Sequence, residues 1–349
     1  MVSNQTPFTI YSVVGPTASG KTERALELAE KLLRDRRWKI EDERDVIGVN
    51  LVSVDSRQVY KGLEVTTGAD VPVEFRLLKN PNFTYPFFKH QTKPINLHGV
   101  SVIDVTDDWS VIHFVQMASQ IINWSIKCRW AMILVGGTGL YHRQLRWFLE
   151  GKKIVNIPPN KAIRQKAAKL SIKELQDWLK QVDESRLAGM NQSDRNNPRR
   201  LVRAIEVGTY KLKKDNNHRH PELVLESYVS NLRDSERFVT NASIFENDNN
   251  DFRYKLVWQT IKVFPDDFET LTAKIRKRVI KRLDQGALDE VKKLLTLNLN
   301  PQEQVMTTLG VPEMRQFLEG KITQEELINL WSLRELQYAK RQLTWWKKY

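Results

Sequence analysis

The sequence contains a single cysteine, Cys128, among 349 residues. One thiol cannot close a disulfide within the chain, and it cannot furnish the cysteine clusters of structural zinc sites. A reducing compartment is the expected setting. No apolar run approaches the roughly 20 residues that a membrane-spanning helix needs. Residues 1–9 are polar, with no basic segment leading into an apolar one, so no signal peptide is read there. A cytoplasmic protein without membrane contact is the expectation. His90, His98, His113, His142, His218 and His220 show no metal-ligand spacing. Acidic residues are also scarce: 42 Asp and Glu face 55 Lys and Arg, for a net charge of +13. That excess favours a polyanionic partner, because each phosphate neutralised releases counterions. Charge alone does not separate a nucleic-acid-binding protein from a merely basic one.

What is present is enough for a core. Hydrophobic residues make up 41% of a chain long enough for two domains. Residues 8–14, 46–54, 100–105 and 130–135 read as strands, and 22–36 and 110–128 as amphipathic helices, Ser110 being a plausible N-cap. Such alternation predicts an α/β fold: a P-loop NTPase-like core with a parallel sheet and helices on both faces. Ligands of such sheets bind beyond the carboxyl ends of the strands. Residues 158–187 are helical by pattern, polar and basic, and 199–214 read as a further helix. Residues 215–251 are polar and rich in Asn, with a candidate strand at 223–229. A strand at 254–264 and helices at 268–295, 311–319 and 324–347 follow. The expected division is a first part of the core at 1–156, a mainly helical insertion at 157–199, and the rest of the core with C-terminal helices at 200–349.

Gly15-Pro16-Thr17-Ala18-Ser19-Gly20-Lys21-Thr22 fits G-x-x-x-x-G-K-[ST] between a predicted strand and a predicted helix. Glycines let backbone N–H groups approach a phosphate chain, and the helix N-terminus adds its dipole. Lys21 supplies a cation to terminal phosphate oxygens. Thr22 offers a hydroxyl to Mg²⁺, the one cofactor expected. A phosphate cradle does not choose a reaction: kinases, NTPases and enzymes that expel diphosphate all use one. Asp55, where the second strand ends, fits two roles by position, a general base or a Walker-B-like Mg²⁺ ligand.

Four further motifs carry a resemblance. They are Ser53-Val54-Asp55-Ser56-Arg57-Gln58-Val59-Tyr60, Gly136-Gly137-Thr138-Gly139-Leu140-Tyr141, Asn197-Pro198-Arg199-Arg200-Leu201-Val202-Arg203-Ala204, and Tyr338-Ala339-Lys340-Arg341-Gln342-Leu343-Thr344-Trp345-Trp346. In this order, behind a phosphate loop, they resemble the tRNA dimethylallyltransferases, also called tRNA isopentenyltransferases. The chain departs from that pattern at several points. Thr66-Thr67-Gly68-Ala69-Asp70-Val71-Pro72 replaces Gly-Thr-Ala-Lys-Pro, and Asn96-Leu97-His98-Gly99 stands near the usual paired histidines. Glu335-Leu336 stands for Thr-Arg, and Lys274 with Arg278 for two arginines four apart. The lack of a cysteine pattern excludes the zinc finger of eukaryotic relatives and suggests a bacterial type.

The resemblance implies transfer of a dimethylallyl group from dimethylallyl diphosphate to the exocyclic amine of an adenosine. That adenosine lies 3′ of the anticodon, at position 37, in tRNAs reading codons that begin with U. The chain's partner would be a tRNA anticodon stem-loop and its working form a monomer. By resemblance Asp55 is the base, while Lys21, Thr22 and Arg278 act with residues 15–20 on the diphosphate. Asp55, Ser56, Arg57, Gln58 and Thr138 would meet the flipped base, and Arg199, Arg200, Leu201, Val202 and Arg203 the tRNA. Lys340 and Arg341 beside Trp345 and Trp346 suit RNA stacking, although tryptophans more often pack in cores. A small-molecule P-loop kinase, a prenyltransferase acting on free adenine nucleotides, and an RNA-binding module with a degenerate site are the alternatives.

Overall fold

A computed structural model describes residues 7–34, 46–69, 71–152, 157, 159–216, 255–301 and 303–349. The stretch expected as a strand at 223–229 lies outside the described residues. Strand β1 (Pro7–Val14) leads to α1 (Lys21–Arg34), β2 (Gly48–Ser53), α2 (Glu64–Thr67), β3 (Phe75–Leu78), β4 (Phe87–His90) and β5 (Ile95–His98). Next come α3 (Val111–Cys128), β6 (Trp130–Val135), α4 (Gly139–Leu149), α5 (Lys161–Ala167), α6 (Ile172–Ala188), α7 (Gln192–Arg195) and α8 (Pro198–Asn216). Strand β7 (Lys255–Lys262) precedes α9 (Phe268–Asp284), α10 (Ala287–Leu295), α11 (Val311–Leu318) and α12 (Gln324–Lys348). The chain divides into two compact units, 1–152 with 239–349, and 153–238.

Among the described residues the first unit holds a seven-stranded sheet ordered β3-β4-β5-β2-β6-β1-β7. From β5 to β7 all pairings are parallel, while β3 and β4 add an antiparallel edge. Alternation along the strands divides the side chains between two faces. On one face, Tyr11, Val13, Val49, Leu51 and Ile133 pack with Ala25, Ala29 and Leu32 of α1. The other face bears Asn50, whose amide donates to Ser125 of α3 at 2.8 Å. Asn50 Oδ1 accepts from Asn96 and meets His98 Nε2, each at 3.0 Å, so this buried polar row is bonded across β2 and β5. The expected α/β core with helices on both faces is therefore borne out. Each aliphatic side chain buried there contributes roughly 1.5–3 kcal/mol.

Two expected elements differ. The strand at 100–105 is instead β5 at 95–98. Gly99 and Ser101 adopt φ +75° and +48°, which ends the strand, and only Ile103 bridges back to Tyr60. The helix at 268–295 is two helices, because Gly286 at φ +97° turns the chain between α9 and α10.

The second unit closes its own core. Leu201, Ala204 and Ile205 of α8 pack with Ile163, Ala167, Leu175, Leu179 and Met190. The expected boundary at 199/200 thus falls inside α8, and the insertion runs on through that helix because its apolar face is buried against α5 and α6. Glu206 ties the same elements, accepting from the Asn160 amide at 2.9 Å, Arg164 at 2.8 Å and Arg203 at 3.1 Å. Leu179 is fully buried in this cluster. Leu179→Ala is expected to cost about 2–5 kcal/mol, read as a lower urea midpoint by the fluorescence of neighbouring Trp178. An unchanged midpoint would show that this cluster does not hold the unit together.

Candidate active site

The site grows from the loops that follow β1, β2 and β6 in the first unit. Val14 ends β1, and the loop of residues 15–20 leads directly into α1. A Cβ on Gly15 would lie 2.1 Å from the Val263 carbonyl oxygen, so only glycine fits there. Ala18 and Gly20 sit at φ +61° and +84°. Left-handed residues of this kind turn successive amides towards a shared concavity suited to an anion. The Lys21 ammonium folds back to the Pro16 carbonyl. Burial, then repulsion from Arg278, lowers its pKa to about 7, against the opposing pull of Asp55 and Glu335.

Asp55 lies just beyond β2. Its Oδ1 accepts from the backbone amides of Arg57 at 2.7 Å and Gln58 at 3.3 Å, which fixes the carboxylate and leaves Oδ2 to other donors. Burial raises its pKa, and those amides, Arg57 and Lys21 only partly offset the rise. Tyr338 and Tyr141 stand close enough to feel the Asp55 charge, and burial pushes Tyr338 up to about 12. Tyr338 OH meets Thr138 Oγ1 at 3.5 Å. The Arg57 guanidinium donates to Thr307 at 3.3 Å.

Helix α12 closes the site. Gln342 accepts the Thr17 backbone N–H at 2.8 Å, and Trp346 donates to the Gly137 carbonyl at 3.2 Å. A Cβ on Gly137 would fall 2.0 Å from the Gln342 amide nitrogen and 2.7 Å from the Gly15 carbonyl oxygen. The phosphate loop, the glycine turn after β6 and α12 therefore meet at one point. Glu335 accepts from Arg282 at 2.9 Å, Arg278 at 3.1 Å and the Thr17 hydroxyl at 3.3 Å. Burial alone would raise the Glu335 carboxyl, but these cations and the Thr17 hydroxyl hold it below its usual range.

Residues 84–349 match the IPP transferase family model. The chain belongs to the IPP transferase family. It is 30% identical to a tRNA dimethylallyltransferase of Pelagibacter ubique, over 96% of this chain and 87% of that one. It is 27% identical to tRNA dimethylallyltransferase 1 of Azobacteroides pseudotrichonymphae, over 97% and 89%. A tRNA isopentenylpyrophosphate transferase structure from Staphylococcus epidermidis superposes with TM-score 0.51 and 26% identity, covering 98% of this chain and 90% of that one. A eukaryotic dimethylallyltransferase solved acting on tRNA shares the fold, with TM-score 0.60, 18% identity and coverage of 97% and 69%.

For this family member, the residues expected from sequence fall into distinct groups. Lys21, Asp55, Arg57, Thr138 and Arg278 come together in the first unit. Gln58 does not offer a free amide for reading a base: its oxygen accepts from Ser53 at 2.8 Å and its nitrogen donates to the Gly68 carbonyl at 2.7 Å. Ser56 holds its loop through its carbonyl, which accepts from Gln304 at 3.1 Å. Leu201 is fully buried in the helical core, so it cannot contact RNA, and Val202 packs against the same cluster. Arg200 pairs with Asp194, and Arg203 with Glu206. Arg199 is exposed. Trp346 is buried against the glycine turn, whereas Trp345 stacks on Tyr349. Glu335, Arg282 and Tyr141 were not among the expected site residues. Glu335 left one sign, a carboxylate where the resemblance expects threonine.

Thr22 is exposed on the first turn of α1. Among the described residues no group of three or more His, Cys, Asp or Glu could hold a metal ion. The Thr22 hydroxyl is an oxygen donor of the kind that Mg²⁺ takes. A cavity beside α1 and β7 is lined by Tyr11, Arg24, Lys31 and Gln259.

The lowered pKa of Lys21 has a measurable consequence. At pH 8 this amine is mostly neutral, and a neighbouring diphosphate favours its charged form. Diphosphate binding should therefore take up a proton at Lys21, and affinity should fall as pH rises above 7. Calorimetry at pH 8 in two buffers of different ionisation enthalpy measures the uptake. Lys21→Arg, permanently charged, should lose that component; equal uptake in both proteins would contradict the assignment.

Proposed function

We propose that this chain transfers the dimethylallyl group of dimethylallyl diphosphate to the exocyclic amine of adenosine 37 in tRNA. The tRNAs would be those reading codons that begin with U, and diphosphate is released. The observation that carries the reading is a glycine-rich phosphate loop ending in Lys21 in the same compact unit as Asp55, whose Oδ1 is pinned by the Arg57 and Gln58 amides. Relatives named as tRNA dimethylallyltransferases support the choice of donor and acceptor.

The amine is a weak nucleophile, because its lone pair is delocalised into the purine. Its nitrogen attacks C1 of the dimethylallyl group as the C1–O bond breaks and that electron pair leaves with diphosphate. Lys21, the backbone N–H groups of residues 18–20 and Arg278 stabilise the departing charge. Thr22 would hold Mg²⁺, which supplies further neutralisation of the diphosphate when bound. The nitrogen then loses a proton to Asp55. Its raised pKa makes it a better base than an ordinary carboxylate, and its fixed Oδ1 leaves Oδ2 for the amine. Arg57, Thr138, Tyr141 and Tyr338 would border the extruded base. Arg199, with Arg200 and Arg203 on the same helix, would meet tRNA phosphates. In this reading the enzyme works as a monomer on tRNA of the cytoplasm.

The direct test incubates the protein with labelled dimethylallyl diphosphate, Mg²⁺, and either tRNA or AMP. Label should enter tRNA; label in AMP alone would overturn the choice of acceptor. Asp55→Asn should keep tRNA binding but slow turnover by about 10²–10⁴-fold. The wild-type rate should rise with pH through the raised Asp55 pKa and then level off, because the carboxylate is the active form. The variant should lack that rise, and full activity in it would remove Asp55 as base. Arg199→Ala should weaken tRNA binding and reduce the slope of log affinity against log salt by about one. An unchanged slope would count against a phosphate contact at Arg199.

A further inference from the structure

Glu335 is a buried carboxylate set among the groups that would grip a diphosphate. It is 5% exposed, and both oxygens are engaged. Oε1 accepts from Arg282 at 2.9 Å. Oε2 accepts from Arg278 at 3.1 Å and from the Thr17 hydroxyl at 3.3 Å, and Arg278 also donates to Thr17. Thr17 lies within the phosphate loop, and its backbone amide is already taken by Gln342. Arg278 is the guanidinium whose charge reaches Lys21. Carboxylate and phosphate oxygens bind guanidinium and hydroxyl donors in the same way. A diphosphate in this loop and the Glu335 carboxylate therefore call on the same donors, and their negative charges repel.

We propose that Glu335 is a positioning residue that competes with diphosphate for Arg278 and Thr17, and so weakens the hold of this site on its phosphate ligands. It keeps the Arg278 guanidinium aimed at the loop and limits how tightly released diphosphate is retained. The inference takes its ligand from the reaction proposed above and its geometry from the side chains alone.

Glu335→Gln keeps the shape and a hydrogen-bonding oxygen while removing the charge. Titration calorimetry of the full chain with inorganic diphosphate and Mg²⁺ should show Glu335→Gln binding roughly ten-fold more tightly than wild type, the scale of one unit charge removed close to the ligand. In turnover, the KM for dimethylallyl diphosphate should fall and inhibition by diphosphate should strengthen, with no gain in kcat. A purely structural ion pair predicts the opposite sign, because loss of the Glu335 charge would loosen the hold on Arg278 and Thr17 and weaken binding. Equal or weaker binding by folded Glu335→Gln, or no diphosphate binding by either protein, overturns the proposal. Should Glu335→Gln fail to fold, Glu335→Thr, which puts the neutral hydroxyl that the resemblance expects at this position, carries the same expectation and the same refutation. A wild-type protein that transfers no dimethylallyl group to tRNA would sink the reaction, while the ratio of diphosphate affinities would still report on Glu335.

Discussion

The docking of one face of α12 onto the loops at the carboxyl ends of β1 and β6 is the constraint on which the site depends. Glu335, Tyr338, Gln342 and Trp346 recur at spacings of three and four, so one stripe of the helix carries all of them. Gln342 takes the Thr17 amide, Trp346 takes the Gly137 carbonyl, Tyr338 reaches Thr138, and Glu335 reaches the Thr17 hydroxyl. Loops at the end of a parallel sheet carry backbone groups that no strand satisfies, and an unpaired buried group costs about 1–3 kcal/mol. The helix meets part of that demand. It also sets the loops after β1 and β6 in a fixed relation, which lets a phosphate cradle work together with a carboxylate from β2.

The same packing concentrates charge. Lys21, Arg278 and Arg282 gather against Asp55 and Glu335 in a partly desolvated region, where charges are felt more strongly than in water. Burial lowers Lys21 and raises Asp55, and each moderates the shift of the other. Opposed shifts of this kind, in groups fixed by backbone hydrogen bonds, mark a site built for charge that changes during a reaction. In the proposed reaction, diphosphate departure and amine deprotonation are two such changes.

The second unit follows different physics. Among the described residues α5, α6 and α8 share an apolar core, and Arg199 and Arg200 stay exposed on α8. Several cations are already paired within the unit, Arg200 with Asp194 and both Arg164 and Arg203 with Glu206. The Arg200–Asp194 pair is partly exposed and of the kind worth at most about 1 kcal/mol, so Arg200 can be released at small cost, whereas Glu206 is buried and holds Arg164 and Arg203 in place.

The sequence by itself determined the phosphate loop, the alternation that makes the α/β core, and the carboxylate at the end of β2. Each is a local pattern: glycines and a lysine at fixed offsets, apolar residues at the period of a strand or helix, an acid where a strand stops. Local pattern also misled. Gln58 lies in a recognised motif but uses its amide on Ser53 and Gly68, and Leu201 lies in another but faces a core. Only the tertiary structure decided that Glu335 joins Arg278 and Arg282, that Gln342 caps the phosphate loop, and that α8 belongs to the helical unit. Glu335 lies 318 residues from the Thr17 it contacts. Pairing at such separation is set by how helices pack on a finished sheet, and no periodicity along the chain encodes it.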